Sequence, residues 1–311
     1  MKAGPRLDFG FAERKVLSRR GLIALACGIF GTSTGTAAPG AILDIHQHLH
    51  RKRSLEQLFA HQRLNGVTKS VILAAAGWLL DTIAGNDESA ALHARRRDEF
   101  LFFASADPVE ADALGILRRY AARDAIGFGE LKFKVAIDSP EMHRIYQLAG
   151  ELNLPVLLHI GGDYNSGIDR FGSVLRSYPK VKFIGHATGW WANISSQVTP
   201  GVGYPKGPVK PGGLTDRLLA DHPNLFGDLS AKSGLTALTR DERFAAEFVD
   251  RHARKLIWGS DCPCLDGKGA GLDGTGCIAA QSLAALRRLV RDPGKLRRIL
   301  YDNGAELLRL G

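Results

Sequence analysis

Residues 41–50, AILDIHQHLH, form an apolar run that ends in closely spaced histidines. Side chains alternate between the two faces of a strand, so His46 and His48 project to the same side. Two neutral imidazole nitrogens aimed at one point are half of a metal site. A chain with ten histidines will sometimes place two of them at this spacing by chance, so the pair alone also fits an ordinary polar strand end. The choice between these interpretations depends on the rest of the chain.

Similar apolar runs recur along the chain and alternate with longer amphipathic segments. Strands are predicted at 42–48, 70–75, 100–106, 127–134, 156–160, 182–187, 225–230 and 256–261. Helices are predicted at 55–64, 87–97, 109–123, 140–152, 169–178, 214–221, 240–252, 278–290 and 293–310. Repeated strand–helix units of this number give a parallel sheet that closes into a barrel. The predicted fold class is therefore α/β, a (β/α)8 TIM barrel.

Two predicted connections are longer than a barrel needs, and both follow strands. Residues 188–213 are rich in Gly and Pro and include Trp190, Trp191 and Tyr204. Residues 262–277 contain many glycines but lack the spacing and the later acidic residue of a dinucleotide-binding fingerprint. Long loops at the carboxyl ends of barrel strands are usually functional. We expect the second loop to be a flexible lid or a backbone cradle for an anionic group of the substrate.

The first forty residues differ from the remainder in charge and pattern. They carry six basic residues against two acidic ones, and a short apolar run, 21–30, follows the pair Arg19-Arg20. We therefore expect residues 1–40 to be an export signal read by the twin-arginine export machinery, and residues 41–311 to be the barrel domain. The expected location is the periplasm or the exterior of a bacterium. A basic tail on a cytoplasmic protein is the alternative.

The composition of the chain limits the classes of molecule that it is expected to bind. The chain has 311 residues, of which 45% are apolar and 23% charged, and its formal net charge is +9. Beyond residue 40, no block of Lys and Arg is interleaved with aromatic residues, which argues against nucleic acid as a partner. The apolar run of the leader is too short to span a bilayer, so no stable membrane anchor is expected. The expected partner is a small-molecule substrate.

Cys262, Cys264 and Cys277 are the cysteines beyond the leader. Three clustered cysteines are not a disulfide framework, although an oxidising compartment would allow one local bridge. A cysteine-based zinc site is the other interpretation, and the absence of paired C-x-x-C spacing argues against it.

Ionisable residues end six of the predicted strands, where a TIM barrel builds its active site. They are His46, His48, Lys132, Lys134, His159, His186, Asp228 and Asp261. A structural role explains each one singly but not all of them together. We predict one divalent metal ion, zinc, with the ligands His46, His48, His159 and Asp261. Metal-bound hydroxide would be the nucleophile, with His186 as the general base or electrostatic partner of the bound water and Asp261 as a proton shuttle to the leaving group.

The same motifs carry a family resemblance that spans residues 42–308. They are DIHQH at 44–48, LH at 158–159, GH at 185–186, WGSD at 258–261 and NGAELL at 303–308. In this order and spacing the chain resembles the amidohydrolase superfamily, in particular the amidohydrolase-related family of aminocarboxymuconate-semialdehyde decarboxylase-like enzymes and dicarboxylate lactonases. The resemblance implies a barrel of the metallo-dependent hydrolase type, the same four metal ligands, and His186 as the residue that positions or deprotonates the water.

The fourth predicted strand leaves the number of metal ions open. Some members of the superfamily bridge two metals with a carbamylated lysine on that strand. Here residues 129–134 read GELKFK, and Glu130, Lys132 and Lys134 share one face. We interpret them as polar lining of the pocket, with either lysine available to a substrate carboxylate. An ion-paired barrel layer and a two-metal site are the alternatives.

Charge and aromaticity indicate candidate residues for the substrate, and these are Arg51, Arg53, Lys132, Lys134, Trp190 and Trp191. The basic side chains would hold a carboxylate, and the indoles would form an apolar wall. The leading hypothesis is a metal-dependent hydrolase of an ester, lactone or amide of a small carboxylated or cyclic molecule. A non-oxidative decarboxylase of an unsaturated or aromatic acid on the same metal site, and an exported binding protein without turnover, are the alternatives.

Overall fold

The computed structural model describes residues 40–272 and 274–310. The predicted export signal at 1–40 lies outside this part of the chain, apart from Gly40. Within the described residues, no helix is both long enough and apolar enough to span a membrane.

Short runs of aliphatic and aromatic residues form parallel strands at each of the predicted positions. They are β1 (Leu43–Gln47), β2 (Lys69–Leu73), β3 (Phe100–Phe103), β4 (Phe128–Leu131), β5 (Val156–His159), β6 (Phe183–His186), β7 (Leu225–Asp228) and β8 (Leu256–Ile257). Strands that follow one another in sequence are neighbours, in the orders β1-β2-β3 and β4-β5-β6-β7-β8. The register of β5 and β6 places His159 opposite His186.

Backbone hydrogen bonds join the two sets of strands into a closed barrel. Between β3 and β4, the amide of Ala104 donates to the carbonyl of Gly127 at 2.9 Å, and the amide of Gly129 donates to the carbonyl of Ala104 at 2.9 Å. Between β8 and β1, the amide of Ile45 donates to the carbonyl of Trp258 at 3.2 Å. The predicted (β/α)8 TIM barrel is therefore confirmed.

Helices connect the strands on the outside of the barrel. They are α1 (Leu55–Leu64), α2 (Asn86–Arg95), α3 (Ala113–Ala121), α4 (Pro140–Leu152), α5 (Phe171–Ser177), α6 (Thr188–Ala192), α7 (Leu214–Asp221), α8 (Ala231–Thr239), α9 (Glu242–Arg251), α10 (Ile278–Leu289), α11 (Pro293–Arg297) and α12 (Asn303–Leu308). Local signals place some of their ends. The Ser139 hydroxyl accepts from the amide of Met142 at 3.3 Å, and Pro140 occupies the first turn of α4. The predicted bounds of α1, α4 and α7 are confirmed residue for residue.

Three helical segments differ from the prediction. Residues 188–213 begin with the short helix α6, and α8 lies where no helix was predicted. The single helix predicted at 293–310 is interrupted by a π-helical turn, Arg298–Asp302, before α12. At its end the side-chain amide of Asn303 donates to the carbonyls of Ala253 and Leu256, a tertiary contact that local sequence does not encode.

Apolar side chains of β1, β2, β3, β5, β6 and β8 form one buried cluster, which includes Leu43, Val71, Leu101, Leu157, Ile184 and Ile257. Only side chains that point inward can bring residues of non-neighbouring strands into contact, so this cluster fills the barrel. A larger apolar layer separates the strands from the helices. The polar strand ends lie beyond the packed interior, at the carboxyl ends of the strands.

Candidate metal centre

His46 and His48 project from the end of β1 into the mouth of the barrel. Their Nε2 atoms are 3.1 Å apart, and both rings are buried. The Oδ1 atom of Asp261 lies 3.7 Å from the Nε2 atom of His46 and 3.6 Å from that of His48. The amide of Asp261 donates to the carbonyl of His46 at 2.8 Å, which anchors the end of β8 beside β1. The two strands therefore bring together three of the four predicted ligands.

The hydrogen bonds of these two rings determine what lies between them. His46 donates Nδ1–H to Oδ2 of Asp228 at 2.7 Å, and His48 donates Nδ1–H to the carbonyl of Leu73 at 2.9 Å. Both Nε2 atoms then face the same point, and at this distance either a proton or a metal ion lies between them. The arrangement fits a divalent cation, because each ring has its other nitrogen held by an oxygen, as in metal-ligating histidines.

Glu130 on β4 is the central carboxylate of the site. Its Oε2 atom lies 3.7 Å from the Nε2 atom of His48. Its Oε1 atom accepts a hydrogen bond from Nδ1 of His159 and lies 3.6 Å from Nε2 of His186. The side chain is 5% exposed, so it faces the histidines and not solvent. Glu130 thus contacts histidines from three different strands.

The donor atoms fall into overlapping groups that share residues. One group is His46, His48 and Glu130; a second is Glu130, His159 and His186; a third is His46, His186 and Asp261. The four ligands predicted around one ion, His46, His48, His159 and Asp261, are not grouped together. His159 instead lies with Glu130 and His186, because Glu130 stands between it and the β1 pair.

The charges of the site follow from burial and proximity. Burial alone would lower the pKa of His46, but the carboxylates of Asp261 and Asp228 outweigh it and raise the pKa to about 10. Burial lowers the pKa of His159 to about 4 and raises the pKa of Asp261. Burial also opposes ionisation of Glu130, but the adjacent His159, hydrogen-bonded to it, and the neighbouring His46 and His186 hold its pKa well below the usual value. The cluster of carboxylates therefore favours a cation at its centre.

Asp228, at the end of β7, orients two of the histidines. Besides accepting from His46, its Oδ2 atom lies 3.2 Å from Nδ1 of His186 and accepts from the hydroxyl of Ser230 at 2.8 Å. The Ser230 oxygen is in turn 3.0 Å from Nδ1 of His186. The sequence marked Asp228 as a strand end but assigned it no role. The structure shows it as the acceptor that turns both Nε2 atoms toward the site.

The two lysines predicted near β4 have different surroundings. Lys134 is exposed, beyond the end of the strand. Lys132 is half-buried, and its Nζ atom lies 5.6 Å from the ring centroids of both Trp78 and Tyr164. Tyr164 also contacts the ring of His159, with centroids 5.6 Å apart. Glu130, on the same strand face as both lysines, is the residue that lies among the histidines.

The predicted substrate arginines make contacts within the protein. Arg51 donates Nε–H to the carbonyl of Leu80 at 2.7 Å and is exposed. Arg53 is buried and donates to the carbonyl of Cys262 at 2.8 Å and to Oε1 of Gln47 at 2.7 Å. Arg53 therefore joins the end of β1 to the loop after β8 and is not free to hold a carboxylate.

The sequence predicts that Trp190 and Trp191 form an apolar wall for the substrate, but the structure does not place them in the mouth of the barrel. Both indoles are buried, with 0% and 2% of their surface exposed, and they belong to the layer between strands and helices. Trp191 donates Nε1–H to the carbonyl of Asp228 at 2.9 Å, so it supports the site from behind. The aromatic residue beside Lys132 that does face solvent is Trp78, which is 51% exposed. No periodicity distinguishes Trp78 in the sequence.

The family comparison agrees with this geometry. The model of the family described as Amidohydrolase matches residues 42–310. This chain belongs to the amidohydrolase family. The resemblance carried by the H-x-H, LH, GH and WGSD motifs is therefore confirmed. No curated protein sequence matches this amidohydrolase significantly.

Solved structures share the fold of this amidohydrolase at low sequence identity. An uncharacterized TIM-barrel protein from Bordetella bronchiseptica is 14% identical, with a TM-score of 0.62 over 86% of this chain and 98% of its own. A probable 2-pyrone-4,6-dicarboxylic acid hydrolase from Acinetobacter baumannii, with citric acid bound, is 15% identical, with a TM-score of 0.57 over 87% and 99%. A dihydroxybenzoic acid decarboxylase from Polaromonas sp. JS666, with bound manganese and an inhibitor, is 13% identical, with a TM-score of 0.54 over 87% and 97%. The amidohydrolase thus shares its fold with a probable hydrolase and with a decarboxylase.

Proposed function

We propose that this amidohydrolase hydrolyses an ester, lactone or amide of a small carboxylated ring compound at a site for two divalent metal ions. The observation that carries the proposal is the position of Glu130, whose two oxygens face different histidine groups. Sites with two neighbouring ions are typical of enzymes that use water as the nucleophile. The sequence predicts one zinc ion, with a lysine shared by two ions as part of an alternative. In the proposed site Glu130 would be the shared residue.

The residues present suit such ions. His46, His48 and Asp261 offer donors on one side of Glu130, and His159 and His186 offer donors on the other. Imidazole and carboxylate donors suit zinc, manganese and related divalent ions. Ions bound there supply Lewis-acid activation of water and of the substrate carbonyl.

In the proposed reaction Asp261 transfers the protons, and His186 lies beside it. Asp261 is the most accessible carboxylate of the site, with 23% of its side chain exposed, and it faces the mouth of the barrel. Its Oδ2 atom lies 3.7 Å from Nε2 of His186. In the proposed reaction Asp261 accepts a proton from the attacking water and delivers it to the leaving group, while His186 stays oriented by Asp228. This proposal keeps Asp261 as the proton shuttle to the leaving group and moves the role of general base from His186 to Asp261.

The substrate class follows from the residues at the rim. Lys132 offers an ammonium group beside the exposed indole of Trp78 and the phenol of Tyr164. A carboxylate can pair with the ammonium group while an adjacent unsaturated ring stacks on the aromatic faces. We therefore infer a small planar or cyclic carboxylic acid derivative as the substrate.

The test begins with the purified protein, its metal content and a panel of lactones, esters, amides and hydroxybenzoates. Net addition of water without release of carbon dioxide is the expected result. Release of carbon dioxide without addition of water would replace the hydrolase by a decarboxylase. Ligand binding without turnover, after loading with zinc or manganese, would leave a binding protein.

Glu130→Gln tests the shared carboxylate directly, because it keeps the size of the side chain and removes its charge. We expect elemental analysis to show about one metal ion fewer per chain, and turnover to fall by more than about 100-fold, since losses outside the ligand shell already cost 10- to 100-fold. Lys134→Ala is the control, because Lys134 is exposed and lies beyond β4. Metal content and turnover equal to those of the control would refute the two-ion site.

A further inference from the structure

The connection between β8 and α10 carries three cysteines to the side of helix α1. Their thiols meet the ring of His61, which projects from α1. The Sγ atoms of Cys262 and Cys277 are 3.8 Å apart, and Sγ of Cys277 lies 3.5 Å from Nε2 of His61. With Cys264 included, the four donor atoms all lie within 4.8 Å of one another. All four residues are buried, and the structure contains no disulfide among these cysteines.

We propose that Cys262, Cys264, Cys277 and His61 bind one zinc ion in a structural site, separate from the metal centre of the barrel. Zinc bonds of about 2.3 Å to sulfur and 2.0–2.1 Å to nitrogen give, in a tetrahedron, sulfur–sulfur edges of about 3.8 Å and sulfur–nitrogen edges of about 3.5 Å. The two measured separations equal these edges. Three thiolates and one imidazole are an established donor set for structural zinc.

The surroundings of the donors match those of metal ligands. Nδ1 of His61 is 3.0 Å from Oε1 of Gln62, which leaves Nε2 to face the thiols. The amide of Gly267 donates to Sγ of Cys264 at 3.1 Å, and the side-chain amide of Asn65 donates to Sγ of Cys277 at 3.9 Å. Hydrogen-bond donors directed at sulfur stabilise thiolates.

The charge of the site is balanced by Arg53. Zinc with three thiolates carries a net negative charge, and burying that charge alone is costly. The buried guanidinium of Arg53 donates to the carbonyls of Cys262 at 2.8 Å and Cys264 at 3.5 Å. A buried arginine that was predicted to hold a substrate carboxylate therefore has a role beside the cysteines.

A zinc ion at this position would order the connection between β8 and α10. The described residues of the connection after β8 have little regular structure, and several of its glycines, among them Gly267, Gly269 and Gly271, have positive φ angles. Such a segment gains little from helix or strand hydrogen bonds, so a metal tie to α1 supplies order. Cys262 directly follows Asp261, and zinc would thus hold the backbone that positions this carboxylate.

A disulfide between Cys262 and Cys277 is the competing chemistry. It requires a sulfur–sulfur distance of about 2.05 Å, well below the 3.8 Å observed. It would also use only two of the four donors and leave Cys264 and His61 buried side by side without a common function. The zinc site explains all four residues.

The decisive experiment is X-ray absorption at the zinc edge of the purified full-length protein, combined with elemental analysis. We expect zinc with sulfur neighbours at about 2.3 Å. Cys264→Ser should remove about one zinc ion per chain and weaken the sulfur signal. Cys27→Ser, a cysteine outside the described residues, is the matched control and should change neither quantity. His48→Ala should lower the metal content of the barrel and leave the sulfur signal intact, which separates this proposal from the proposed function.

Thiol mapping of the unaltered protein gives a second measurement that does not depend on how the variants fold. Zinc should protect Cys262, Cys264 and Cys277 from alkylation, and chelation should expose all three. A zinc shell without sulfur, or a disulfide linking two of these cysteines in the native protein, would overturn the proposal.

Discussion

Asp228 shows how one buried carboxylate can organise a site without binding the substrate. It holds Nδ1 of His46 and faces Nδ1 of His186, so both rings present Nε2 to the centre. Asp228→Asn keeps the shape but can offer an amide hydrogen where an acceptor is needed. We expect metal binding to weaken about 10- to 100-fold, as is typical when the partner of a ligating histidine is lost. Competition with a chromophoric chelator measures the change.

Asp124→Asn is the matched control for this substitution. Asp124 forms an exposed ion pair with Arg97 on the surface, and such pairs contribute little. Its positive φ angle of 69° is one that asparagine also tolerates. Equal metal affinity in both variants would show that Asp228 does not orient the ligands.

At the scale of elements, the short helix α6 packs closely against β6 because residue 185 of the strand is a glycine. A Cβ atom at Gly185 would lie 2.7 Å from two ring atoms of Trp190, so the indole packs where a side chain would otherwise be. Gly185→Ala should lower the free energy of unfolding by about 1–3 kcal/mol through overpacking. Urea denaturation of the metal-loaded protein measures this loss.

Gly150→Ala, within α4, is the control for that substitution. The nearest neighbour of its Cβ atom would be Cγ2 of Val181 at 3.4 Å, and alanine is the better helix former. We expect its stability to equal or exceed that of the unaltered protein. A loss at Gly185 no larger than at Gly150 would mean that α6 does not depend on this close approach.

At the scale of the whole molecule, the candidate ligands come from β1, β4, β5, β6 and the end of β8. Ions bound by the folded barrel and not by the unfolded chain stabilise it by mass action, by about 4 kcal/mol at a thousand times the dissociation constant. We expect chelation to lower Tm by on the order of 10 °C, since ~1 kcal/mol shifts Tm by roughly 2–4 °C in domains approaching this size. Scanning calorimetry before and after chelation measures the effect.

Reloading with zinc should restore the original Tm and serves as the control for damage by the chelator. In His48→Ala the loss on chelation should be smaller, because one ligand of the barrel site is already missing. An unchanged Tm in the fully stripped protein would contradict metal binding coupled to the folded state.

Much of the architecture was predictable because its causes are local. Apolar runs of strand length alternate with amphipathic segments, and caps such as Ser139 with Pro140 lie beside the helices they begin. The strand ends carrying His46, His48, His159, His186 and Asp261 could be identified for the same reason. In contrast, α6 has only five residues, and α8 (AKSGLTALT) contains serine, glycine and threonine, which are weak helix formers.

The sequence by itself determined the barrel, the family and the histidines and aspartates at the mouth. Only the tertiary structure decided how they are grouped, because grouping depends on distances between strands far apart in the chain. It placed Glu130 among His48, His159 and His186, buried Trp190 and Trp191, and brought Trp78 to Lys132. It also brought His61 of α1 to three cysteines more than two hundred residues later, a contact whose spacing resembles no linear zinc motif.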